Sequence, residues 1–185
     1  MSNVRRYDNN VSLRESLGKG LFFTIRDVAE AAGIQPASAR VLCARAVRRG
    51  DMVRLKNNFY LLAERWGSCD RDDFFAISNF LQVPSYLSFL TALAYWEATT
   101  QVPRDVYESA CLRRTRSLQA RGVEFRFFKV KQELFGGFLR RDGLFVASVE
   151  KAFLDAGYLA SFGRYSLDTA ALDWTAREPD LAAVH

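Results

Sequence analysis

Gly33 and Gly50 punctuate the stretch Phe23–Leu62, and that punctuation limits what the N-terminal part of this chain can fold into. Thr24 and Asp27 form a T-x-x-D pattern, in which the threonine oxygen accepts a free N–H of a first helical turn while the aspartate reaches back. Ile25, Val28, Ala29 and Ala32 then fall on one face of a helix. Gly33 suits the left-handed backbone after a helix end, and Ile34 is placed to plug the corner that follows. Pro36 fits the first turn of the next helix, where its missing N–H costs nothing. That helix is expected to run to about Arg49 and to stop at Gly50.

In this second segment Ala39, Leu42, Cys43, Ala46 and Val47 make an apolar stripe, and the remaining face carries Ser38, Arg40, Val41, Arg45 and Arg48. Met52–Leu55 and Phe59–Leu62 read as strands around the polar tip Lys56-Asn57-Asn58, since Asn tolerates the positive φ of a tight hairpin. Helix, glycine turn, helix with a cationic outer face and charged hairpin, in that order, predict a winged helix-turn-helix that docks on duplex DNA. The bland alternative is a basic helical bundle whose arginines are merely solvated. On the DNA reading, Gln35, Ser38, Arg40, Val41 and Arg45 are the candidates for base edges and flanking phosphates. Arg54, Lys56, Asn57 and Asn58 are the candidate wing contacts to the backbone or the minor groove.

Charge supports the DNA reading. The 185 residues carry a net +5, and Met1–Trp66 holds 12 Lys and Arg against 6 Asp and Glu, so the excess lies in the first third. A basic segment joined to a near-neutral one suggests that the first meets a polyanion. Cys43, Cys69 and Cys111 are far apart and the single histidine is His185. That rules out zinc-finger spacing, fits no disulfide framework, and suggests small buried thiols in a reducing cytoplasm. The N-terminus lacks a signal-peptide core, and the longest apolar run, Tyr86–Trp96, is too short to cross a bilayer. A cytoplasmic protein with no membrane contact is expected.

Val11–Leu17 reads as a short first helix and Glu64–Asp73 as a polar linker. Phe74–Leu81 is ambiguous between strand and helix. Pro84-Ser85 is read as opening an apolar helix, Tyr86–Glu97, capped by Ser85. After a Gln101-Val102-Pro103 turn, Val106–Cys111 and Val123–Lys131 read as strands, the second with Val123, Phe125 and Phe127 on one side. Leu144–Val146 is a third strand, Ser148 caps a helix from Val149 to about Phe162, and Pro179 interrupts the tail Ser166–Val184. The expectation is an α+β chain: a winged helix-turn-helix over residues 1–66, then a mixed α/β C-terminal domain with a small sheet over 74–185.

Catalytic patterns are absent. A metal-dependent nuclease needs two carboxylates and a lysine at alternating strand positions, whereas Glu124-Phe125-Arg126 and Glu150-Lys151 offer neither spacing. Gly136-Gly137 lacks the Lys-Ser/Thr of a phosphate loop. No catalytic residue, cofactor or metal is expected. A second basic cluster spans Arg104–Lys131, with 8 Lys and Arg against Asp105, Glu108 and Glu124, and Arg113, Arg114 and Arg116 in a loop between strands. It is either a solvated hairpin edge or a second surface for a polyanion.

Four patterns occur here in order: Ser85-Tyr86-Leu87-Ser88, Gln101-Val102-Pro103, Arg113-Arg114-Thr115, and Val146-Ala147-Ser148-Val149-Glu150-Lys151-Ala152. With the N-terminal segment they resemble the AbiEi antitoxins of bacterial abortive-infection systems over roughly residues 20–160. The resemblance implies a transcriptional autorepressor that binds inverted repeats in its own promoter and serves as the antitoxin of a type IV toxin–antitoxin pair. Its functional partner would be a nucleotidyltransferase toxin, with direct contact not implied. It places antitoxin activity in the C-terminal domain, where Arg113, Arg114, Arg116, Lys129, Lys131 and Lys151 form the candidate surface. The chain ends sooner after the Glu150-Lys151 helix than longer relatives do. The alternative is a protein-interaction module on a winged-helix scaffold, without antitoxin activity of its own.

Overall fold

The computed structural model describes residues 15–18, 20–101 and 104–173, and the chain divides into two compact units, residues 1–73 and 74–185. The architecture is mixed α and β, with a two-stranded and a six-stranded sheet.

In the first unit, α1 (Ile25–Ala32) is capped as its sequence dictates: Thr24 Oγ1 accepts from Asp27 N–H, and the Asp27 carboxylate accepts from Thr24 N–H at 2.7 Å. Gly33 sits at φ +61°, which an L side chain resists, and its turn satisfies the last carbonyls through Gly33 N–H to Glu30 and Ile34 N–H to Ala29. Helix α2 (Pro36–Arg49) follows, with proline in its first turn and Gly50 at its end. The two helices close on Val28, Ala29, Ala39, Cys43 and Ala46, where small side chains allow close approach. Strands β1 (Met52–Lys56) and β2 (Phe59–Leu62) form the hairpin, and Phe23 pairs with Tyr60 through two 2.9 Å backbone bonds. The turn is shorter than expected: Lys56 belongs to β1, leaving Asn57 and Asn58, the latter at φ +64°.

Residues 64–73 are not an open linker. Ala63–Gly67 is a helical turn, α3, that buries Trp66, and α4 (Arg71–Leu81) begins at a reciprocal pair in which Asp70 and Asp73 side chains accept each other's N–H. Arg65 reaches Asp73 at 2.7 Å across the turn. Of the expected first helix, Glu15–Leu17 is helical and residues 11–14 lie outside the described residues.

The second unit holds β3 (Ser85–Leu87), α5 (Phe89–Tyr95), β4 (Val106–Cys111), β5 (Arg116–Ala120), β6 (Val123–Lys129), β7 (Phe138–Arg141), β8 (Leu144–Ala147) and α6 (Val149–Ala160). The sheet order is β5-β6-β4-β3-β8-β7. It contains the same device twice: a strand, then a hairpin whose second strand returns parallel to it, β4 with β5–β6 and β3 with β7–β8. The two copies join through the antiparallel pair β3–β4. Helix α4 covers one face through Phe74 on Tyr107 and Ser78 on Ser109, while α5 and α6 cover the other.

The structure corrects the expected helix Tyr86–Glu97. Residues 85–87 are a central strand buried on both sides, and the helix starts after Ser88, so Ser85 is no cap; its hydroxyl donates to the Gln82 carbonyl. A short apolar run buried on both faces looks alike as strand or helix, and only its neighbours decide. Strands β5 and β7 were not anticipated, and Arg116 therefore opens a strand instead of lying in a loop. The Gln101-Val102-Pro103 turn and the tail beyond Asp173 fall on or extend into residues outside the described set.

Because β3 is short, the backbone of Phe145 is completed by a side chain: Asn79 accepts from Phe145 N–H at 2.6 Å and donates to its carbonyl at 3.2 Å. Asn79→Leu is expected to cost about 1–3 kcal/mol in urea unfolding, for two lost partners. A cost within error would mean that water replaces the amide.

Candidate nucleic-acid interface

Helix α2 separates its residues as the spacing requires. Ala39, Cys43 and Ala46 are buried, whereas Ser38, Arg40, Val41, Arg45 and Arg48 face solvent. Gln35, at the N-cap, makes no side-chain cap bond. Arg40 and Arg45 have no carboxylate partner among the described residues; the ion pairs of this unit include Arg26–Glu30, Arg49–Asp51 and Arg65–Asp73. Val41 is 49% exposed in the middle of this cationic face, where an apolar side chain gains nothing from folding.

The hairpin candidates divide. Arg54 is exposed and its guanidinium donates to Asn57 Oδ1 at 3.3 Å, so both sit at the tip. Asn58 is structural: its Oδ1 accepts from Ile25 N–H at 3.1 Å, pinning the hairpin to the start of α1. Lys56 is half-buried, its ammonium 4.6 Å from the Phe59 ring centroid. Anchoring to α1 and packing on Phe59 thus engage Asn58 and Lys56, two of the four proposed wing contacts.

In the second unit the basic residues also divide. Arg126 is neutralised by Glu124 at 2.7 Å and lies 3.9 Å from Glu108. Arg113, Arg114, Lys129 and Lys131 are exposed, and no ion pair joins them to a carboxylate among the described residues. Topology gathers them. Strands β4 and β6 are parallel, with Cys111 beside Lys129, so the loop leaving β4 and the chain leaving β6 start at the same end of the sheet. The loop is fixed: Gln82 Nε2 donates to the Arg114 carbonyl at 3.1 Å, and Thr115 Oγ1 accepts from Lys129 N–H at 2.9 Å. Arg116 is half-buried, donating to the Leu81 carbonyl at 3.1 Å, while its Nε is buried without a hydrogen-bond partner. Burial first, then the like charges of Arg114 and Arg113, push its pKa below the ordinary arginine range. Gln82, which positions this loop, was not signalled by the sequence, because a lone glutamine after a helix carries no pattern.

Lys151 does not belong to that surface. Its ammonium donates to Asp155 Oδ1 at 2.6 Å and to the Leu134 carbonyl at 2.5 Å. Asp155 is 1% exposed and also accepts from Tyr86 and Ser88 hydroxyls. A Cβ on Gly137 would stand 3.1 Å from the Lys151 side chain, so the glycine lets the loop close over it. Glu150 accepts from the Ser148 hydroxyl beside the start of α6. Lys151 and Asp155 are thus committed to each other and to neighbouring groups of the fold.

Glu108 is the other buried carboxylate, held by Tyr165 Oη at 2.6 Å. Burial dominates and raises its pKa, against the hydrogen bond from Tyr165 and the charge of Arg126. The folded chain therefore binds this proton more tightly than the unfolded one, and stability is lost as pH climbs above the ordinary value of 4.5. Glu108→Gln is expected to flatten the fall in unfolding free energy as pH rises above 4.5 relative to wild type. Parallel pH profiles for the two chains would contradict that assignment.

Cys43 and Cys111 are buried and Cys69 is partly exposed, and burial raises all three thiol pKa values. Among the described residues no three His, Cys, Asp or Glu side chains come together as a metal site, and no helix is long and apolar enough to cross a membrane. No protein-family profile matches the chain, and no curated protein matches it.

Proposed function

We propose that the first unit is a winged helix-turn-helix and that the protein is a DNA-binding autorepressor acting as the antitoxin of a nucleotidyltransferase toxin. The observation that carries the DNA reading is the outer face of α2, where Arg40 and Arg45 are exposed, and unpaired among the described residues, around an exposed Val41. Cations without internal partners suit phosphates and guanine edges, and an exposed methyl-bearing side chain suits the thymine methyl. The Asn58 bond to the start of α1 holds Arg54 and Asn57 at a defined place beside the helices, as a backbone contact needs. The antitoxin part rests on the resemblance to AbiEi proteins.

Binding to DNA upstream of the gene, followed by fluorescence anisotropy, tests the first part. Arg45→Ala is expected to weaken it by about 1–3 kcal/mol if the residue reads a base, with specificity relaxed at that position. Arg54→Ala is expected to weaken all sequences alike and to flatten the salt dependence. Equal binding by wild type and the Arg40→Ala/Arg45→Ala double variant would sink the assignment of α2. Co-expression with a nucleotidyltransferase toxin of the AbiE kind, read as growth rescue, tests the antitoxin part.

A second reading, a protein-interaction module, is favoured by a different observation. Leu154 is exposed on α6 at a cavity of about 290 Å³ also lined by Leu93, Val149 and Phe153, and Phe162 is exposed just beyond the helix. Apolar surface of this kind marks contact sites on many proteins. Co-purification of the toxin with the chain, lost on Leu154→Glu, would favour it over action without a complex.

A further inference from the structure

The C-terminal end of strands β4 and β6 collects cations in a way that the candidate DNA helix does not account for. We infer that this end of the six-stranded sheet is a second nucleic-acid site, at which Arg113, Arg114, Arg116 and Lys129 hold consecutive phosphates of one strand without reading bases. The inference extends the proposed function to the second unit, but its physical argument is independent of α2.

Three observations carry it. First, the charge is concentrated by topology: because β4 and β6 are parallel and adjacent, the Arg113–Arg114 loop and Lys129 emerge side by side, and β5 starts beside them with Arg116 opposite Phe127. Three neighbouring strands span about 10 Å, the reach of a few phosphates on one strand. Second, the loop is built in advance. The buried Gln82 amide holds the Arg114 carbonyl and Thr115 holds Lys129 N–H, which leaves the Arg113 and Arg114 side chains exposed. A loop ordered before binding loses less entropy on association. Third, the cluster lacks a counter-charge among the described residues. Carboxylates elsewhere in the same sheet are engaged with Arg126, and among the described residues no ion pair reaches Arg113, Arg114 or Lys129. Like charges held together without an acid are stabilised by an incoming anion, and phosphate is the anion whose geometry suits a guanidinium fork.

Among the described residues of this end, exposed aromatic side chains do not appear, since Phe127 is buried and Phe128 packs on Phe89. Stacking on bases is therefore not provided, and recognition falls to the backbone. A strand of a DNA duplex and a strand of RNA offer the same phosphodiester chemistry, and salt dependence separates them.

The test uses the full chain and two probes, a DNA duplex of arbitrary sequence and a single-stranded RNA, with binding measured from 50 to 300 mM salt. Arg113→Ala/Arg114→Ala is expected to reduce the slope of log K against log salt by about 1.8 on duplex or about 1.4 on single-stranded RNA, and to weaken binding by on the order of tenfold per arginine near 0.1 M salt. The probe on which the slope falls names the strand's source. Arg113→Lys/Arg114→Lys keeps the charge and is expected to keep the slope, which separates a lost contact from a damaged fold. Repeating the loop substitutions in the Arg40→Ala/Arg45→Ala background isolates the second site from the first. Slopes unchanged on both probes in both backgrounds would overturn the inference, whatever becomes of α2. A loop effect that persists when α2 proves irrelevant would uphold it while the proposed DNA helix fails.

Discussion

Asp155→Ala is expected to destabilise the second unit by about 3–5 kcal/mol, because it leaves the Lys151 ammonium in a buried site without its counter-ion. The Lys151 side chain is 12% exposed and Asp155 2%, so water can take over little of the charge. The same substitution strips the Tyr86 and Ser88 hydroxyls of their acceptor, adding two unsatisfied buried groups. Asp155→Asn keeps an acceptor for those hydroxyls and removes only the charge, so its cost should be smaller. Lys151→Met/Asp155→Leu removes both charges and should recover much of the loss, since replacing a buried pair by apolar groups is often close to neutral. Urea unfolding followed by near-ultraviolet circular dichroism separates the three. A cost for Asp155→Ala below about 1 kcal/mol would place the pair among solvent-screened surface bridges instead.

Phe89→Ala should be nearly as damaging, at about 3–5 kcal/mol, through the cavity it opens. The ring is fully buried, 4.8 Å between centroids from Phe128 and 5.1 Å from Tyr165. Phe89 also stands at φ +56°, where the chain turns from β3 into α5. Glycine adopts that conformation without steric cost. Phe89→Gly is therefore expected to cost no more than Phe89→Ala although it removes one more carbon, and the reverse order in unfolding free energy would show that the turn is not strained.

The two segments differ in how far their residues announce themselves. In Phe23–Leu62 the signals are local: Thr24 and Asp27 cap each other, Gly33 and Gly50 end helices, and the apolar spacing of Ala39, Cys43 and Ala46 matches one helical face. Interactions between near neighbours in sequence can be read from near neighbours in sequence. Tyr86-Leu87 escapes that reading, because a run buried on all sides has no polar phase to reveal its period, whereas Phe89–Tyr95 is helical as expected. β5 is not legible in the sequence because Arg116, Ser117 and Gln119 make a poor strand by composition, and an edge strand needs only one buried side.

The same division runs through the candidate sites. Residue types and spacing alone located the cations of α2 and of the Arg113–Arg116 segment, because charge is carried by each side chain wherever it lies. Which cations remain available was decided by tertiary structure. Lys151 turned inward to Asp155, Arg126 was neutralised by Glu124, Lys56 lies against Phe59, and Asn58 was committed to Ile25. The reason is physical: an ion pair or a cap depends on distance in space, and partners such as Asn58 and Ile25, or Gln82 and Arg114, meet only after the sheet and helices have formed.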